Sequence, residues 1–150
     1  MPSQNPLVRD RDVEFLLYEV HDALRLCVLP QYADHDRETF DLFLGSAARL
    51  AREQLFPRFR EMDEQGSVLV DGRVQVPRAM EPLWRQLCEL GLISASRPFE
   101  VEGGQLPSTI STMAYLYLMA GNAAAVGFAL LTSGAAHLIE TFGDDALREA

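Results

Sequence analysis

The sequence predicts a mainly α domain with one small β-hairpin. Apolar residues recur at i, i+3, i+4 and i+7 in successive blocks, only one stretch alternates with a period of two, and Gly, Pro and short polar clusters separate the blocks. Val13, Leu16, Leu17, Val20 and Leu24 form the first block, interleaved with Arg11, Glu14, Glu19 and Asp22, so an amphipathic helix is expected up to Leu29-Pro30. After the polar turn QYADHD, Phe40, Phe43, Leu44, Ala47, Ala48, Ala51 and Leu55 give a longer stripe of the same period, and the two helices are expected to pair as a hairpin.

Pro57 falls inside that second stripe. Its nitrogen cannot donate to the carbonyl of Glu53, which predicts a kink or break, and Gly66 is expected to end the segment. In VLVDGRVQV, residues alternate around Asp71-Gly72, the dipeptide suited to a tight hairpin turn with positive φ. Met80, Leu83, Trp84, Leu87 and Leu90 then predict a helix closed by Gly91 in the left-handed conformation.

A loop follows from Leu92 to Pro107. Ser108 is placed to cap a helix carrying Ile110, Met113, Ala114 and Tyr117, and Asn122 to cap a second, small-residue helix running to about Leu131. Gly121-Asn122 and Gly127 interrupt the apolar run from Met113 to Leu131, which therefore reads as two core helices and not as a membrane span. A further helix is expected from Ala135 to Thr141, capped by Ser133, and Asp144 is the expected cap of DDALREA. Because that last helix begins within about two turns of Ala150, the C-terminus is expected to be the edge of a fragment.

The 150 residues suit a single domain, and 48% hydrophobic with 23% charged is ordinary for a soluble globular protein. The formal net charge of −9 argues against a nucleic-acid partner, since phosphate neutralisation needs clustered Lys and Arg. Cys27 and Cys88 form no C-x-x-C pair and are expected to be buried, reduced thiols, consistent with the cytoplasm; MPSQNPLVRDRDVEF has no apolar signal core.

Four constellations bear on chemistry. EVEGGQLPST has two glycines ahead of a helix start, but its spacing is neither G-x-G-x-x-G nor G-x-x-x-x-G-K-[ST], and Glu100 and Glu102 oppose a phosphate. His137 and Glu140 stand at i, i+3, a metal-compatible spacing, yet His21 and His35 add no second pair, so no metal site is expected. Ser94, Ser96, Ser111 and Ser133 lie in no G-x-S-x-G. Met113, Tyr115, Tyr117, Met119 and Phe128 form a mixed aromatic and methionine surface, which is either core or the wall of a pocket for a flexible apolar ligand.

The order of features resembles the N-terminal helical domain of an acyl-CoA dehydrogenase. The residues that carry the resemblance are Leu90-Gly91-Leu92 closing a helix, Gly103-Gly104 followed by Leu106-Pro107, and Phe142-Gly143 ahead of an acidic helix. VRDRDVEFLLYEV and LPQYAD resemble the opening of the branch with an N-terminal extension, which divides the chain into an extension, 1–35, and the domain proper, 36–150, cut before the β domain. Two departures stand out: Gln105 joins Leu106 without an intervening glycine, and Ser133 precedes Gly134 where relatives have His.

The resemblance implies α,β-oxidation of an acyl-CoA thioester, in which a glutamate base takes the α proton and FAD accepts a hydride from Cβ. The base and most flavin contacts belong to the β and C-terminal domains, so no catalytic or cofactor-binding residue is assigned in this chain, which is expected to be inactive alone. It further implies that the N-terminal domain walls the acyl chain, with Tyr117, Asn122, Val126, Phe128 and Leu131 as candidate pocket residues, and that large residues at Val126 or Phe128 alter chain-length preference. An electron-transfer acceptor and a homo-oligomer are the implied partners. The readings from other classes are a stand-alone helical interaction module without catalysis and a small helical metal oxidase.

Overall fold

The computed structural model describes residues 8–149. Its architecture is mainly α with one two-stranded sheet, as the periodicity predicts. The first helix, α1, runs over Asp10–Glu14 and continues as a π turn over Phe15–Val20, closed by the His21 amide donating to the Leu16 carbonyl at 3.0 Å. Val13 and Leu17 are buried, whereas Leu16 and Val20 face solvent. The expected run to Leu29 is shortened, because Asp22 takes a left-handed φ of 46° and redirects the chain into a 3₁₀ helix, Ala23–Val28. Leu29 is extended ahead of Pro30, as a residue before proline must be.

Helix α2, Arg37–Leu50, is capped by Asp36, whose carboxylate accepts from the Thr39 amide at 2.8 Å. It passes through a second π turn, Ala51–Leu55, into α3, Phe56–Gln65. The π turn sits one residue ahead of Pro57's first neighbour and is the local form of the predicted disruption: the Phe56 amide reaches back to the Ala51 carbonyl, five residues away. Phe40, Leu44, Ala47, Ala48, Ala51 and Leu55 are all buried, so the stripe read from the sequence is the core face of this unit. Strands β1, Val68–Val70, and β2, Arg73–Gln75, pair antiparallel, with Asp71 and Gly72 both at positive φ in the turn.

Helix α4, Met80–Glu89, buries Met80, Leu83 and Leu87 and ends in a Schellman arrangement: the Gly91 amide donates to Cys88 at 2.8 Å and the Leu92 amide to Leu87 at 3.4 Å. The last long element, α5, covers Ser108–Phe142 and packs on α2, the π turn, α3 and α4. Its start differs from expectation, because Pro107 is the cap residue and Ser108 is already helical with no capping bond. Its single irregularity is Asn122, at φ −163° and ψ 90°, where the side chain caps the second half by accepting from the Ala125 amide at 3.1 Å. The expected break at Ser133-Gly134 is absent; the Ser133 hydroxyl instead donates to the Ile93 carbonyl at 2.9 Å and clips α5 to the loop after α4. A short α6, Asp145–Glu149, is capped by Asp144.

By length and composition α5 is apolar enough to cross a membrane. Ile110, Ala114, Leu118, Ala125, Val126 and Ala129 are nevertheless buried against the other helices, which makes its first two-thirds the central core element.

Candidate functional site

The Gly-Gly loop is a structural joint. A Cβ on Gly103 would lie 2.2 Å from the Arg97 carbonyl oxygen, and one on Gly104 would lie 2.9 Å from that of Ala95. The glycines therefore let two backbone segments touch. The amides that a phosphate would need are already engaged: Gly103 donates to Pro98, Gly104 to Ser94, Gln105 to Arg97 and Leu106 to Ala95, at 2.7–3.0 Å. Gln105, which joins Leu106 directly, adopts a left-handed φ of 47°. It bolts the loop down through three bonds, its side chain donating to Gln31 at 2.7 Å and accepting from the Phe99 amide at 3.2 Å, while its carbonyl takes His35 Nε2–H at 3.0 Å. His35 is buried between the rings of Phe40 and Phe99.

The five candidate pocket residues separate into four environments. Tyr117 is buried and faces a cleft of about 820 Å³ between α1, α2 and α5. Asn122 and Phe128 line a cavity of about 220 Å³ with Phe59, Met62, Ala124 and Pro77. Asn122 fits there because Gly121 allows α5 to approach the π turn so closely that a Cβ would meet the Ala51 carbonyl oxygen at 2.9 Å. Val126 is sealed in the core at 0% exposure, while Leu131 is 76% exposed on the outer face of α5.

That outer face carries a second pattern. Gly127, Leu131, Gly134 and Leu138 recur at i, i+4, i+7 and i+11, and a Cβ on either glycine would meet nothing among the described residues within 4 Å. With Phe128, Leu130 and Phe142 also exposed, the second half of α5 presents an apolar strip notched by two glycines. The sequence reading singled out Phe128 and Leu131 but not Gly127, Gly134 or Leu138; their shared helical face was the available signal.

In the larger cleft, two polar clips hold α1 at its ends. Asp10 accepts from both Arg52 amino groups and from the Tyr117 hydroxyl at 2.9 Å, with the Arg52 guanidinium 5.7 Å from the Tyr117 ring centre. The same arrangement repeats at the other end: the Tyr18 hydroxyl donates to Asp41 at 2.6 Å, Arg37 donates to the other Asp41 oxygen at 3.3 Å, and its guanidinium lies 4.5 Å over the Tyr18 ring. The Arg52 bonds hold the Asp10 carboxyl below the usual carboxylate range, and burial first, then the Asp10 carboxylate, raises the Tyr117 phenol.

His137 Nδ1 lies 3.8 Å from Glu140, whose carboxylate is turned to Arg97. Among the described residues no three His, Cys, Asp or Glu side chains converge to hold a metal. The cysteines are free but not both buried, a correction to expectation: Cys27 is half-buried, and Cys88, on the outer side of α4, is exposed. A flavin dinucleotide fits neither the Gly-Gly loop, whose amides are occupied, nor the cleft, whose walls carry Asp10, Glu14, Asp41 and Glu53 against Arg49 and Arg52.

The family model for the acyl-CoA dehydrogenase N-terminal domain matches residues 37–150. The chain belongs to this family. Among curated relatives, it is 27% identical over 139 residues to 3-methylmercaptopropionyl-CoA dehydrogenase of Ruegeria pomeroyi, covering 91% of this chain and 23% of that protein. It is 26% identical over 153 residues to butyryl-CoA dehydrogenase of Syntrophomonas wolfei subsp. wolfei, covering 99% of this chain and 25% of that protein. The chain thus spans about a quarter of the length of the curated relatives it matches.

Proposed function

We propose that this chain serves a flavin-dependent acyl-CoA dehydrogenase as the wall of its acyl pocket, and that the acyl chain lies along the outer strip of α5. The observation that carries the reading is the apolar face Gly127-Leu131-Gly134-Leu138, open above both glycines and flanked by Phe128. A methylene chain needs a long apolar surface of low relief with few polar groups, and this strip supplies one. Its backbone is fixed from below by Asn122, by the Ser133 bond to Ile93 and by the Arg97–Glu140 pair, so the wall is rigid. FAD, the glutamate base and the contact with an electron acceptor belong to polypeptide outside this chain, which by itself is inactive. Residues 1–35 form the extension, 36–150 the domain proper, and the whole protein is a cytoplasmic homo-oligomer.

In the intact protein, Phe128→Ala and Leu131→Trp are expected to shift relative kcat/KM across a graded series of acyl-CoA thioesters by about tenfold or more between short and long chains, the scale of one or two methylene-sized contacts. Unchanged relative rates for both variants would remove the strip from the pocket. Val126 is unsuited to this test, since a larger residue there strains a sealed core before it reaches any ligand.

A second reading, a helical interaction module without catalysis, is favoured by the hairpin, where Leu69 and Val74 are 73% and 68% exposed. A clean monomer that binds no surface-apolar dye would count against it.

A further inference from the structure

The cleft beneath α1 is separate from the α5 strip and is too large to be a packing defect. Its floor is the largely buried Val13, Leu44 and Ala48, and its volume of about 820 Å³ is that of a small-molecule site. Gly45 opens onto it from the middle of α2. A glycine inside a helix is less favourable than alanine, and three uses normally justify one: a positive φ, a close backbone crossing, or space for something else. Gly45 has helical backbone with no positive φ, and a Cβ there would meet nothing among the described residues within 4 Å. What remains is space. Independently, α1 is held over the cleft by polar clips at its two ends, Asp10 with Arg52 and Tyr117, and Tyr18 with Asp41 and Arg37, so the span between them need not close onto α2.

The charges around the opening indicate what would enter. Asp10 and Asp41 are occupied by their arginines, which leaves Glu14 and Glu53 against Arg49. That balance is negative within a chain of net charge −9 and opposes an anionic ligand. We propose that the cleft beneath α1 binds a small amphipathic cation, its apolar body over Leu44 and Ala48 below Gly45, and its ammonium group at Glu14 and Glu53.

The test uses the intact protein with three probes of one length, octylamine, octanol and octanoate, each below its aggregation threshold and followed by titration calorimetry. Octylamine is expected to bind saturably, and Gly45→Leu, which fills the cleft, is expected to weaken it about tenfold or more while leaving the melting temperature equal or higher. Glu53→Gln is expected to weaken octylamine several-fold with no effect on octanol. The proposal is overturned if octylamine shows no saturable binding, if Gly45→Leu leaves it unchanged, or if octanoate binds equally well with the same dependence on Gly45. It is also overturned if Gly45→Leu lowers the melting temperature of the intact protein, because the cleft is then filled by polypeptide. Acyl-chain oxidation reads the α5 strip and is independent of each of these outcomes.

Discussion

At the scale of single residues, the side chains that organise this domain work by closing off alternatives. Asp10 is the clearest case: it lies at the start of α1, yet its partners come from the π turn and from α5, so one carboxylate fixes three elements. Its pKa is depressed in the folded state by the Arg52 hydrogen bonds. A depressed carboxylate stabilises the fold above its unfolded pKa, near 3.9, and that contribution disappears as pH falls through the lower folded value. Asp10→Asn is therefore expected to lower stability at neutral pH and to flatten the acid limb below about pH 4, as read by thermal melts across pH. An acid limb identical to that of the unaltered protein would show that the clip carries no net stabilisation. None of this was legible in the sequence, because Asp10 and Tyr117 stand 107 residues apart and no local pattern links them. Asn122 was legible, since a capping residue two steps after an apolar helix announces itself locally.

At the scale of elements, the periodic segments were read well and the joints less well. The core stripe from Phe40 to Leu55, the Asp71-Gly72 hairpin and the Gly91 closure follow from local chemistry and occur as expected. The first helix ended early because Asp22 adopts a left-handed conformation, and α5 ran on through Ser133-Gly134, where the Ser133 bond to Ile93 offsets the weak helix propensity of that pair. The Gly-Gly loop shows the same limit. Its glycines advertise a turn, but the anchor is Gln105, whose side chain compensates for a left-handed φ. Gln105→Gly removes the side-chain bonds and relieves the backbone, whereas Gln105→Ala removes the bonds and keeps the unfavourable φ. Alanine is thus expected to be the worse substitution by about 1 kcal/mol, the cost of a left-handed non-glycine residue. Denaturant titration of the two variants measures the difference, and equal stabilities would mean the loop relaxes to another conformation.

At the scale of the whole molecule, the buried core lies between α2, α4 and the first half of α5, and large apolar side chains are exposed elsewhere on the described surface. The last third of α5, with Leu131, Leu138 and Phe142 exposed, and the hairpin strands carry this apolar surface, in a chain that spans about a quarter of the length of the curated relatives it matches. The sequence indicated the family through the order of short motifs. It did not separate core-facing from exposed positions, because a helix apolar on all sides gives periodicity no direction; the structure makes that separation, with Val126 buried and Leu131 exposed. The central claim, that the outer strip of α5 touches the acyl chain, is tested most directly by photolabelling the intact protein. An acyl-CoA carrying a diazirine at the far end of its chain would be irradiated in place and the labelled peptides mapped. Label is predicted within residues 124–142; label confined to other parts of the polypeptide would contradict the account.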